Sequence, residues 1–200
     1  MKQDETRADI IEATRELFTR QGFYETSMSD IVEASDTSKG TLYYYFDDKL
    51  ELFESMIERE VQELYGEFST IAAGDMPVRE KMREILKTTA VFGRDNFEFA
   101  QILLQTKNFH SDFEERIWEW HERFHEMIKI VLKEGVDRGV IEDKDLTLMT
   151  YNFQGLIRSF APPLYHEDED YDIDRLADFT LEIFLEGVCG EDDSSAEYEK

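Results

Sequence analysis

Between Thr37 and Phe46 the chain reads TSKGTLYYYF, ten residues with one lysine, the hydroxyls of Ser, Thr and three consecutive Tyr, and no carboxylate. The rest of the chain makes this window unusual. Its 200 residues carry 47 Asp and Glu against 22 Lys and Arg, a formal net charge of −25. Lysine and hydroxyl side chains donate hydrogen bonds to anionic oxygens without the repulsion a carboxylate would bring. Gly40 and Thr41 are small, so backbone there can come close to a partner. On a helix, Tyr43, Tyr44 and Tyr45 lie about 100° apart, so they cannot share one task. One packs inward with Leu42 and Phe46, and the others face out with phenolic hydroxyls free. Such a set suits recognition of a phosphate-lined surface.

Bond-making chemistry is not expected elsewhere. The sequence has no Gly-rich phosphate loop, no nucleophile beside a base and no carboxylate dyad, so it reads as a non-enzyme. His121 and His125 stand at i and i+4, but a metal would need a third ligand that the sequence does not identify. Neither a metal nor a cofactor is expected. The single cysteine, Cys189, permits no intrachain disulfide and fits a reducing compartment. Residues 1–30 lack an apolar signal core, and no stretch approaches the roughly 20 apolar residues of a membrane span. The expectation is a cytoplasmic protein without a membrane partner. Its acid excess is dispersed along the chain, as on halophile surfaces that stay hydrated in concentrated salt, or as in an ordinary acidic protein.

The elements that must position these residues are helices. Hydrophobic residues make up 41% of the chain, with only three prolines, and apolar positions recur every three or four residues, which predicts an all-α fold. A first helix presents Ile10, Ala13 and Leu17 and stops at Gly22, a residue suited to a left-handed C-terminal cap. Ser27 and Asp30 form a capping pair for a short second helix carrying Ile31 and Ala34. The DTS turn leads into the window above as a third helix, and Asp48 with Glu51 opens a fourth that buries Leu52 and Met56. AAGDMP, 72–77, is the clearest break. Further helices are expected near 77–94, 97–109, 112–138, 145–164 and 172–188, about nine in all, and an acidic disordered tail over 191–200.

Two short helices joined by a tight polar turn follow the helix-turn-helix plan, whose second helix enters the major groove. Residues 31–52, IVEASDTSKGTLYYYFDDKLEL, resemble the amino-terminal signature of the TetR/AcrR transcriptional regulators. The motif-grade resemblance covers roughly residues 6–56, and the layout covers the chain. It implies a DNA-binding domain over 1–50, an effector-binding and dimerisation domain over 51–190, and a homodimer on a near-palindromic operator. On the matching positions it places Thr26, Ser27 and Ser29 at a helix end that meets phosphate, and Ser38, Lys39, Gly40, Thr41, Tyr43 and Tyr44 on the recognition helix. Lys49 falls in the first turn of the fourth helix, as a phosphate contact. Ser35, Asp36 and Thr37 depart from the usual Ala, Gly and Val, so operator preference is not transferred. Charge opposes this reading, because residues 1–50 hold six basic and eleven acidic residues where DNA-binding domains are ordinarily basic.

In the second domain, Ile117, His121, Phe124, Ile128 and Val131 form one stripe, which turns His121 inward and leaves His125 on the flank. Phe92, Phe97, Ile102, His121, Phe124 and Phe153 are the candidate effector contacts, or plain core. The segments LTLMTYNFQGLIRSF, with Gly155, and LADFTLEIFLEGV are the expected dimer surface, or intrachain packing. The function expected is a ligand-responsive repressor, released from a palindromic operator by an apolar or amphipathic small molecule. The alternative is a helical protein-interaction module that kept the fold and lost DNA binding.

Overall fold

The computed structural model describes residues 2–97, 99, 102, 109–158 and 172–188. Eight helices form among them and no strand. They are α1 (Lys2–Gln21), α2 (Met28–Ala34), α3 (Lys39–Tyr45), α4 (Lys49–Ala73), α5 (Val78–Asp95), α6 (Ser111–Asp137), α7 (Leu146–Arg158) and α8 (Ile173–Val188). The helix expected near 97–109 is represented by Phe97, Phe99 and Ile102, which are helical. Residues 98, 100, 101 and 103–108 of that stretch, the end of the helix expected to reach 164, Cys189 and the tail over 191–200 lie outside the described residues.

The chain divides into two compact units, Met1–Glu63 with Phe97–Glu119, and Leu64–Asn96 with Trp120–Lys200. In the first, α1 buries Ile10, Ile11, Leu17 and Phe18, and meets Ile31 of α2, Leu42 of α3, Phe46 and the start of α4 at Leu52 and Phe53. Phe23 closes this core, its ring edge-on to Phe18 at 5.2 Å and to Phe53 at 5.3 Å. It can do so because Gly22, at φ 86°, takes the left-handed conformation that ends α1 at little cost and turns the chain back.

The second unit is built on α5 against α8. Met82, Leu86 and Ala90 of α5 and Ala177, Leu181 and Phe184 of α8 are buried. Arg83 bridges Asp174 and Asp178, and Lys87 joins Asp174, so α5 carries the cations that α8 lacks at this seam. These exposed pairs each contribute little, about 0–1 kcal/mol. Lys81 is different. It is 4% exposed, donates to the Ala72 carbonyl at the end of α4 at 2.8 Å, and pairs with Glu134 at 2.9 Å. It thus satisfies a terminal carbonyl that the helix itself leaves open.

Burial along α6 follows the expected stripe at Ile128 and Val131 and departs from it at Ile117 and His121. Ile117 is 37% exposed, His121 is half-buried and His125 is buried at 6% exposure. The interior positions are Phe113, His125, Ile128, Val131 and Leu132. At about 100° per residue Ile117 and His121 point within about 20° of the buried Ile128, so what packs against each turn of this 27-residue helix, and not helical phase, decides which residues are covered.

Candidate nucleic-acid interface

The turn between α2 and α3 fixes the geometry of the surface. Ser27 caps α2 with a reciprocal pair of bonds. Its hydroxyl accepts from the Asp30 amide at 3.2 Å, and the Asp30 carboxylate accepts from the Ser27 amide at 2.8 Å. The bond from the Ser27 amide foremost, and then one donated by the Ser27 hydroxyl at 2.7 Å, hold the Asp30 carboxyl below the ordinary carboxylate range. At the other end the Thr37 amide returns to the Val32 carbonyl and the Asp36 amide to that of Glu33. Asp36 sits between them at φ 49°, the left-handed residue such a cap requires. Asp tolerates that region better than most residues. The chain then enters α3 at Ser38, whose hydroxyl accepts from the Thr41 amide at 3.0 Å and lies 2.8 Å from the Thr41 hydroxyl.

Helix α3 sorts its side chains as its period demands. Leu42 and the following Phe46 are buried at 0% and 1% exposure, while Tyr43 and Tyr44 are exposed at 44% and 71%. Tyr45 is the tyrosine that turns in, half-buried, its ring 5.0 Å from that of Tyr44. Lys39 and Gly40 are exposed on the same element, and the Lys39 ammonium lies 5.8 Å from the Tyr43 ring centroid. Among the described residues a methyl group built on Gly40 would meet the Ser38 hydroxyl alone, at 3.8 Å. The fold therefore does not need glycine there, and a partner that approaches the backbone would.

Two of the candidate residues face inward. Thr26 is 2% exposed, and its hydroxyl donates to the Gly22 carbonyl at 2.8 Å and accepts from Gln21. Ser27 and Ser29 are the exposed hydroxyls at that helix end. Lys49 bends back over the α1–α2 loop, donating to the carbonyls of Phe23 at 2.6 Å and Thr26 at 2.8 Å, with its ammonium 4.5 Å from the Phe23 ring centroid. Partial burial lowers its pKa, opposed by the nearby Glu25 carboxylate. The resemblance implies a phosphate contact for Lys49 in the first turn of this helix; the structure gives its ammonium carbonyls, a target no local pattern announces.

Of the effector candidates, Phe97 and Ile102 belong to the first unit, half-buried and buried respectively, and Phe92, His121, Phe124 and Phe153 to the second. Phe153 is 1% exposed and stands edge-on to Phe184 at 5.0 Å, and Phe124 stacks on Phe68 at 5.2 Å. A residue pair missed by the sequence reading lies beside them. His125 Nδ1 is 3.1 Å from Gln154 Oε1, both residues are buried, and the Gln154 amide nitrogen has no hydrogen-bond partner among the described residues. The i, i+29 separation carries no sequence signal. Among the described residues no cluster of three metal-ligating side chains occurs and no helix is long and apolar enough to cross a membrane.

An exposed, carboxylate-free recognition helix behind a capped turn, set on an all-helical chain, defines a helix-turn-helix DNA-binding protein. Residues 10–56 match the family model described as bacterial regulatory proteins, tetR family, and residues 75–188 match the tetracyclin repressor-like C-terminal domain. The chain belongs to the TetR family of transcriptional regulators, and it is a regulator and not an enzyme. The HTH-type transcriptional repressor KstR2 of Rhodococcus jostii is 25% identical over 186 residues, 92% of this chain and 91% of that protein. A TetR/AcrR-family regulator from Thermobifida fusca superposes with a TM-score of 0.79 at 24% identity, covering 92% of this chain and 98% of that one. FadR of Bacillus subtilis, solved in complex with stearoyl-CoA, superposes with a TM-score of 0.72 at 20% identity, covering 90% and 98%.

Proposed function

We propose that the chain is a cytoplasmic repressor that binds a near-palindromic operator as a homodimer and is released by an apolar or amphipathic effector. The observation that carries the DNA-binding part is the window 37–46, where Ser38, Lys39, Gly40, Tyr43 and Tyr44 are exposed and Thr41 partly so, with no carboxylate among them in a chain of net charge −25. Residues 1–50 form the DNA-binding domain in this reading. Tyr43 and Tyr44, with Ser27 and Ser29, meet phosphates; Lys39 and Thr41 meet base edges. Thr26 and Lys49 support the same face from within.

Residues 51–190 bind the effector and the second copy. Support for the dimer comes from α7 and α8, which leave Leu148, Tyr151, Phe179 and Ile183 between 45% and 61% exposed. They flank a cleft of about 380 Å³ lined in part by Leu148, Met149, Leu156 and Phe184. Gly155 is exposed, and among the described residues no atom lies within 4 Å of an added methyl, which leaves the backbone there open to a second copy. Support for the effector comes from the aromatic interior and the stearoyl-CoA bound by FadR. An acyl thioester has the amphipathic character required, and its carbonyl would suit the unfilled Gln154 amide.

The net charge of −5 over residues 1–50 favours a second reading, an interaction module that no longer binds DNA. A gel shift with the gene's own upstream region at molar and at lower salt separates the two. The repressor reading predicts a discrete shifted band abolished by acyl-CoA. No shift at any salt, with the protein folded, favours the module.

A further inference from the structure

The face that would meet DNA is short of cations, and the fold withdraws several of those nearby. Residues 22–48 hold six carboxylates and a single cation, Lys39. Lys49 commits its ammonium to the carbonyls of Phe23 and Thr26. The Arg7 guanidinium lies 5.2 Å from the Phe46 ring centroid and donates to the Ser55 hydroxyl, and Arg15 pairs with Glu60 at 2.7 Å. The carboxylates of Glu33, Asp36 and Asp47, by contrast, stand on exposed residues. Asp36 is in the turn before α3, and Asp47 follows its end. A seven-residue helix is about 10 Å long at 1.5 Å per residue. Carboxylates therefore border α3 at both ends, and the Debye length at ~0.1 M salt, about 10 Å, is as long as the helix itself.

A DNA-binding face built from Lys and Arg releases condensed cations and weakens as salt rises, with a slope of about −0.9 per neutralised phosphate. Here few phosphates are neutralised, while carboxylates are brought up to the duplex. We propose that complex formation takes up monovalent cations, held diffusely between the carboxylates of Glu33, Asp36 and Asp47 and the DNA phosphates, so that DNA affinity rises with salt. No cation occupies a fixed position. Near 1 M salt the screening length falls to about 3 Å, the repulsion fades, and the hydroxyl and apolar contacts of α3 act unopposed. The inference rests on the DNA-binding reading and fixes the sign of its salt dependence.

The test is fluorescence anisotropy with the full chain, using a duplex of its own upstream region and a random-sequence duplex of equal length. KCl is varied from about 0.1 M to about 2 M, and circular dichroism at each concentration defines the range in which the protein is folded. Within that range wild-type affinity is expected to rise about tenfold or more. The double variant Glu33→Gln, Asp36→Asn keeps a residue that tolerates the left-handed turn and should bind more tightly at low salt, with a flatter response. A wild-type slope of zero or below, or a folded double variant with an unchanged slope, overturns the proposal and leaves DNA binding standing. A folded protein that binds neither duplex at any salt contradicts the DNA-binding reading, and the inference falls with it.

Discussion

Tyr43 and Lys49 separate two ways in which a side chain can serve a DNA-binding surface. The Tyr43 ring is 44% exposed, so Tyr43→Phe removes one hydroxyl and little else. Affinity for all DNA sequences should fall alike, by about 3–10-fold, with the thermal midpoint unchanged, as anisotropy and melting curves would show. Lys49 is held by carbonyls of the α1–α2 loop, so Lys49→Met strands acceptors that a charged donor satisfied. A loss of about 1–3 kcal/mol in chemical denaturation is expected. An unchanged denaturation midpoint together with weakened DNA binding would instead assign Lys49 to a phosphate. Thr41 lies between these cases, exposing part of its surface while its hydroxyl is tied to Ser38. Thr41→Ala should alter operator preference more than stability.

At the level of elements, caps and turns were the most legible features. Gly22 as a stop, the Ser27–Asp30 box and Asp48 as a helix start depend on bonds within four residues, and the structure has each of them. The fourth-helix box is shifted by one residue at its return bond, because the Glu51 carboxylate accepts from the Asp47 amide while the Asp48 carboxylate accepts from the Glu51 amide. What the sequence hid was long-range: the packing along α6 that buries His125 more deeply than His121, the Gln154 partner, and the carbonyl targets of Lys49. None has a periodic signature. Asp36 at φ 49° gives an element-scale test. Asp36→Gly should be neutral or stabilising and Asp36→Val should cost about 1–2 kcal/mol in denaturation, since left-handed backbone penalises a branched side chain.

Ahead of α6, His110 offers a pH test. Its Nδ1 lies 2.9 Å from the buried Glu54 carboxylate, whose other oxygen accepts from the His110 amide at 2.9 Å. The bond to Glu54 foremost, then the charges of Glu54, Asp48 and Asp112, raises the imidazole above its ordinary value, against desolvation. A raised folded pKa means that the stabilisation is complete below the unfolded value of about 6.5 and is lost as pH climbs through the folded one. The thermal midpoint of wild type should therefore exceed that of His110→Gln at about pH 6, and the gap should narrow by about pH 8. A gap that is constant or widens with pH would contradict the pairing.

Across the whole molecule, the charge of −25 and the two apolar helices α7 and α8 set the solution behaviour. Dispersed carboxylates repel one another, so thermal stability should rise with added salt before it levels. A two-fold dimer through α7 and α8 would match the symmetry of a palindromic operator, and light scattering at micromolar protein in high salt should return twice the chain mass. Phe179→Glu with Ile183→Glu should return the monomer mass and lose operator binding. Linkage then requires that operator DNA weaken effector binding by the factor with which effector weakens DNA binding, typically about 1–3 kcal/mol.

The central claim, that α3 reads DNA, is tested most directly by selecting binding sites from a random duplex pool at high salt with the wild-type chain and with Thr41→Ala. The account predicts a near-palindromic consensus for wild type, and a changed base preference at the same position of both half-sites for the variant. No enriched sequence from a folded wild-type protein, or an identical consensus from both proteins, would contradict it.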